Sequence, residues 1–177
     1  MIYGKRIRLR HAERDDLPRF VAWLNDPEVR QGLALFLPLS QPEEEQWLEK
    51  TLQRPAEERP FTIEARQEHS WQPIGSCGFE ILDWRNRSAE VGILIGEKSY
   101  WNQGYGTETM QLLLEHAFST LNLNRVYLRV FEDNPRAIRA YEKAGFVHEG
   151  RMRQAEFHLG RYCDVLLMSV LRPEWEP

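Results

Sequence analysis

The sequence predicts an α/β (α+β) fold, a mixed central sheet of about seven strands flanked by about four helices. Strand-like runs dominate the middle and the end of the chain. Apolar residues at helical spacing mark helices before and between them. Proline, glycine, asparagine and aspartate punctuate the boundaries.

Residues 7–10 read as the first strand. Asp15-Asp16 opens a helix whose Leu17, Phe20, Val21 and Leu24 form one apolar stripe, and Asp26-Pro27 breaks it. Residues 32–39 form an apolar loop interrupted by proline. Ser40-Gln41-Pro42-Glu43 is a capping-box start for a second helix, with Trp47, Leu48 and Leu52 inward. Glu43, Glu44 and Glu45 read as first-turn acids that complement the helix dipole. Residues 55–60 form a charged linker. Strands follow at 61–66, 74–82 and 90–95, with turns at 68–73 and 83–87. A long helix starts near Gly104. Its Met110, Leu113, Leu114, Ala117 and Leu121 keep helical spacing, with Glu108, Gln111 and Glu115 opposite. Residues 125–131 alternate as a strand with Val126, Leu128 and Val130 on one face. A helix follows Asn134, and residues 146–157 and 162–171 form a hairpin around Leu159-Gly160. Residues 1–177 are expected to form one domain.

Two stretches carry the chemistry. Residues 100–107 read Tyr-Trp-Asn-Gln-Gly-Tyr-Gly-Thr and join a strand to the N-terminus of the long helix. The first N–H groups of a helix lack helical acceptors and lie at the positive end of its dipole. Gly104 and Gly106 carry no Cβ, so a phosphate can reach the backbone there. The third glycine of a dinucleotide fingerprint and the Gly-Lys-Ser/Thr ending of a P-loop are missing, which disfavours ordinary NAD and ATP sites. The second stretch is Asn134-Pro135-Arg136-Ala137-Ile138-Arg139-Ala140-Tyr141-Glu142-Lys143-Ala144-Gly145-Phe146. Asn134 suits an N-cap, Pro135 the first turn and Gly145 the C-terminal stop. Asn134 and Tyr141 lie about two helical turns apart and share a face with Ala137 and Ile138. Taken alone, they read as a cap and a half-buried core aromatic.

Together the two stretches resemble the GCN5-related N-acetyltransferase (GNAT) family. The first is similar to its pyrophosphate loop, Gln/Arg-x-x-Gly-x-Gly/Ala. The second is similar to its Asn-x-x-Ala-x-x-x-Tyr-x-x-x-Gly-Phe helix. The likeness is to the branch of ribosomal-protein N-terminal acetyltransferases and spermidine N-acetyltransferases. Arg87-Ser88-Ala89-Glu90, Leu121-Asn122-Leu123 and Gly160-Arg161-Tyr162-Cys163-Asp164 extend it, and it is dense over residues 74–171.

The resemblance implies a central sheet splayed between the fourth and fifth strands. It implies acetyl-CoA as the acyl donor, no metal, and direct attack by a primary amine in a ternary complex. Backbone groups of Ile93, Leu94 and Ile95 would face the cofactor. Trp101, Asn102, Gln103, Gly104, Tyr105, Gly106 and Thr107 would cradle its pyrophosphate, and Asn134, Ala137 and Lys143 would line the groove beside Arg136 and Arg139. Trp101 stands where the family carries Gln or Arg, so binding there falls to backbone amides. Tyr141 matches the family's acid, because a phenol of pKa about 10 stays protonated at neutral pH and can donate to a thiolate. Glu90 is the candidate base, acting through a water, with an ion pair as its simpler role.

Composition narrows the partners. The 177 residues are 42% hydrophobic and 28% charged, with a formal net charge of −4. That balance argues against a nucleic-acid-coating protein and mildly favours cationic partners. No apolar run is long enough for a membrane span, and the start of the chain has no apolar signal-peptide core. Cys77 and Cys163 fit packing roles in a reduced, cytoplasmic setting, and the five histidines show no metal-ligand spacing. The acceptor is read as a protein N-terminus or a small amine. Ala34-Leu35-Phe36-Leu37-Pro38-Leu39 predicts an apolar amine-side wall, an acceptor with a neutral or apolar body, and poor use of spermidine. The competing readings are a polyamine acetyltransferase and a non-catalytic CoA-binding regulatory module. A homodimer is compatible with the family.

Overall fold

The computed structural model describes residues 1–175. Among them an open sheet of eight strands runs in the order β1-β2-β3-β4-β5-β6-β8-β7. β2 (Ile7–His11) puts Ile7 and Leu9 into the core, and β1 (Ile2–Tyr3) pairs with its outer edge. β3 (Phe61–Arg66) and β4 (Trp71–Asp83) continue the antiparallel half, so the turn between them is shorter than the sequence suggests. β5 (Ser88–Ile95) follows, and β6 (Arg125–Phe131) lies parallel to it. The long hairpin β7 (Val147–His158) and β8 (Arg161–Leu171) closes on β6, turning at Leu159-Gly160 as expected.

Five helices cover this sheet. α1 (Leu17–Asn25) ends at Asp26, which does break it. The same Asp26 then caps a helix that the sequence reading missed, α2 (Pro27–Arg30), by accepting from the N–H groups of Glu28 and Val29. α3 (Gln41–Leu52) starts in the predicted Ser40–Glu43 capping box. α4 (Tyr105–Glu115) drives Met110, Leu113 and Leu114 into the core. A wider π-turn at His116–Thr120 prolongs it and keeps Ala117 and Phe118 buried. α5 (Pro135–Ala144) begins at the Asn134 cap and stops at Gly145, whose φ of 104° few side chains tolerate.

The splay predicted from the resemblance is present, but between the fifth and sixth strands rather than the fourth and fifth, because the short β1 adds a strand at the start. β5 and β6 are in register only over Ser88–Glu90 and Arg125–Tyr127. Beyond Glu90 the two strands part, and the edge of β5 from Val91 to Ile95 has no strand partner on that side. α4 and α5 flank the gap, with Thr107 Oγ1 donating to the Ala140 carbonyl at 3.3 Å.

A buried charge network ties α1 to the other end of the sheet. Asp16 is only 3% exposed. Arg10 reaches it in bidentate fashion at 2.7 and 2.8 Å, Thr62 Oγ1 donates at 2.9 Å, and the Glu13 N–H donates at 2.9 Å. Burial opposes the charge, yet Arg10, the Glu13 N–H and Thr62 together hold the carboxyl below its ordinary range. Such a group stabilises the fold above the unfolded pKa of about 4 and loses that contribution as pH falls through the folded value. Asp16→Ala should therefore cost about 1–3 kcal/mol in denaturant melts at neutral pH, because the Thr62 hydroxyl and the Glu13 N–H lose their acceptor, while Arg10 keeps Glu64 at 3.1 Å. The gap to the parent protein should narrow as the pH is lowered below about 4.

Candidate active site

The strand gap opens into a cavity of about 530 Å³ bounded by β5, β6, the N-terminus of α4 and one face of α5. A second cavity, of about 570 Å³, lies on the other side of β5 against α1 and α3. The two share Leu33, Ala34, Glu80, Gly92, Ile93 and Leu94, so they meet across the middle of β5.

The anion end of the first cavity is built from residues 100–107. Gly104 caps α4 in the left-handed region at φ 84°, and no side chain caps the helix. The Glu108 N–H returns to the Gly104 carbonyl, so the N–H groups that precede it have no helical acceptor. The loop is held from behind. Arg6 donates to the Gln103 carbonyl at 3.1 Å and to Glu108 at 2.9 Å, and it lies over the Tyr105 ring at 4.4 Å. Trp101 is pinned by its indole N–H to the Ile95 carbonyl at 2.7 Å. Its ring carries the Arg136 guanidinium at 3.5 Å. Partial burial pushes the Arg136 pKa down. Among the described residues Arg136, Arg139 and Lys143 all line the cavity and none forms an ion pair. Three unpaired cations beside a bare helix N-terminus suit a phosphate-bearing ligand.

Nearly all the residues expected from the sequence line this cavity: Ile93, Leu94, Ile95, Trp101, Asn102, Gly104, Tyr105, Gly106, Thr107, Asn134, Ala137, Tyr141, Lys143 and Glu90. Gln103 does not. Its side chain turns back to the Ser99 carbonyl, and its own carbonyl is taken by Arg6. Asn134 spends its oxygen on the Ala137 N–H at 3.2 Å, and its amide nitrogen lies against Gly32. Tyr141 is 8% exposed and packs against Phe146, and its hydroxyl has no hydrogen-bond partner among the described residues. Burial first, and then the charge of Glu80, raise the phenol above its ordinary pKa. Glu90 is 5% exposed and receives Arg129 Nε at 2.7 Å, which is the ion pair of its simpler reading.

The second cavity departs from the expected apolar wall. Leu35 and Leu39 line it with Phe20 and Trp47, but Phe36 (86% exposed) and Leu37 (63% exposed) face outward. Glu43 and Glu44 both stand in the first turn of α3, and Glu43 closes the capping box with Ser40. Glu44 is buried, lines the cavity and forms no ion pair among the described residues. Burial, with Glu43 nearby, raises its pKa. The buried Thr51 hydroxyl on the same helix lines the cavity without a hydrogen-bond partner. Glu80, Arg129 and Glu44 are the site residues that sequence reasoning passed over. Among the described residues no cluster of side chains could hold a metal ion, and no helix is long and apolar enough to cross a membrane.

Two cavities that meet across one strand suit an enzyme of the class that joins two substrates. Residues 6–147 match the acetyltransferase (GNAT) domain family, and the chain belongs to that family, the acetyl-CoA-dependent N-acetyltransferases. It is 30% identical over 176 residues to the uncharacterized N-acetyltransferase p20 of Bacillus licheniformis, covering 98% of this chain and 97% of that protein. It is 32% identical over 173 residues to the spermidine N(1)-acetyltransferase of Vibrio cholerae serotype O1, covering 97% and 96%. The crystal structure of spermidine N-acetyltransferase from Vibrio cholerae in complex with CoA and spermine superposes with a TM-score of 0.87 at 30% identity, covering 97% of this chain and 98% of that one.

Proposed function

We propose that this N-acetyltransferase uses acetyl-CoA and acylates a small-molecule primary amine, with both substrates bound at once. The meeting of the two cavities at Gly92–Leu94 carries this reading, because it lets donor and acceptor approach β5 from opposite sides. Acetyl-CoA supplies the activated carbonyl that the amine attacks. Around it, the N–H groups at the start of α4 bind phosphate, with Arg136, Arg139 and Lys143 in reach of the same end. The unpaired edge of β5 offers backbone donors at the reacting end. Tyr141 donates a proton to the departing sulfur. Glu90, clamped by Arg129, braces the mouth of the splay. The unpaired, buried Cys77 and Cys163 support a reducing, cytoplasmic setting.

Acetyl-CoA turnover measured against spermidine, phenethylamine, glucosamine and a short peptide with a free N-terminus, with mass detection of the product, tests the acceptor class. Transfer to the peptide alone would overturn the small-molecule reading. One observation favours a polyamine over an apolar monoamine. Glu44 is a buried carboxylate without a counter-cation among the described residues of the acceptor cavity, and the Vibrio cholerae relative named above is a spermidine N(1)-acetyltransferase. Saturable spermidine acetylation would select that reading over the apolar acceptor expected from residues 34–39.

A further inference from the structure

Glu80 is the extra residue of a β-bulge in β4. Phe79 is registered against Val91 and Ile81 against Glu90, so Glu80 has no opposite residue on β5. A bulge redirects a side chain that strict alternation would send elsewhere. Here it lays the carboxylate across Gly92, where an added Cβ would stand 2.1 Å from Glu80 Oε1. Among the described residues Glu80 is the one acid that lines both cavities. It is open to them, and among the described residues it forms no ion pair. Glu90, by contrast, is buried and clamped by Arg129. Three titratable groups face Glu80 from neighbouring elements: Glu90 on β5, Arg129 on β6 and Tyr141 on α5. Desolvation raises the Glu80 pKa, Glu90 adds to the rise and Arg129 opposes it.

We infer that Glu80, held by the bulge between the two cavities, is the base that takes the proton from the acceptor ammonium. The inference rests on the N-acetyltransferase reading above. One N–H bond breaks, its electron pair stays on nitrogen, and an O–H bond forms on Glu80. That proton leaves to water through the open second cavity. As the C–N bond forms and the C–S bond breaks, the Tyr141 proton goes to sulfur. The second proton shed by nitrogen restores Tyr141 through solvent. The balance is one amide, one thiol and one proton released. Base and acid thus stand on different elements, β4 and α5, and both line the first cavity. A carboxylate shifted toward neutrality suits this task better than an ordinary one.

The test is Glu80→Gln beside Glu90→Gln, with kcat/KM for phenethylamine and for spermidine followed from about pH 7 to about pH 10, where the free amine becomes abundant. Glu80→Gln should lose about 10²-fold near neutral pH. The loss should shrink steadily toward pH 10, because an amine that is already neutral needs no base. Acetyl-CoA affinity by calorimetry should be unchanged. Glu90→Gln should show a deficit that does not vary with pH. A Glu80→Gln enzyme with parental rates, or with one constant deficit across the range, would overturn the assignment while leaving the transferase reading intact. No transfer by the parent protein to any amine would overturn both.

Discussion

Replacing Tyr141 with Phe should lower the turnover number by about 10²–10⁴-fold, the range for loss of a general acid. Acetyl-CoA affinity should hardly move. The substitution deletes one hydroxyl that has no hydrogen-bond partner among the described residues, and it keeps the ring against Phe146. Packing is therefore preserved, and no buried partner is left stranded. The position is suited to donation. Burial and the charge of Glu80 both favour the protonated phenol, so the proton is in place throughout the physiological range. The rate must be measured where chemistry limits turnover, by single-turnover quench with both substrates saturating. Near-parental rates there would make Tyr141 a core aromatic and pass the role of donor to water.

Much of this could be read from local sequence. α5 is written out by its cap, its proline, its apolar face and its terminal glycine, and each acts where expected. The long helix, β6 and the closing hairpin follow from periodicity and turn chemistry in the same way. Other features are set by distant partners. β1 spans two residues and exists through its pairing with β2. α2 hides because Asp26-Pro27 reads as a break, although an aspartate cap followed by proline also starts a helix. The Glu80 bulge depends on how β4 registers with β5, and a period-two pattern holds no trace of that. Arg129 and Glu90 find each other where β5 and β6 begin to part. Glu44 resembles its neighbours Glu43 and Glu45 in sequence, and only the packing of α3 beside α1 separates a capping acid from a buried one. Most of the expected residues that line the first cavity were legible because they sit in two contiguous stretches. The lining of the second cavity was not, because it is assembled from α1, α3, β4, β5 and the loop after α2.

Gly106→Val should weaken CoA binding by about 10–10²-fold, which corresponds to losing one or two charge-assisted hydrogen bonds at about 1.5 kcal/mol each. Gly106 is the better of the two loop glycines for this purpose. Gly104 sits at φ 84°, where any side chain strains the backbone, so a substitution there would confound folding with binding. Gly106 has ordinary helical geometry, and an added Cβ would meet only the Ala140 Cβ, at 3.9 Å. The substitution thus adds bulk to the N-terminus of α4, where phosphate must approach, without forcing the turn open. Thermal melts should show the fold retained, and calorimetry with CoA should show the loss. The loop is held by Arg6 from outside the cavity and by the Trp101 indole on the Ile95 carbonyl, so its shape should survive the change. Arg136→Ala should give a smaller loss, since it removes one cation and leaves the backbone donors in place. Unchanged CoA affinity in Gly106→Val would mean that the phosphates are held by the α5 cations alone. The helix N-terminus would then be a turn with no ligand to bind.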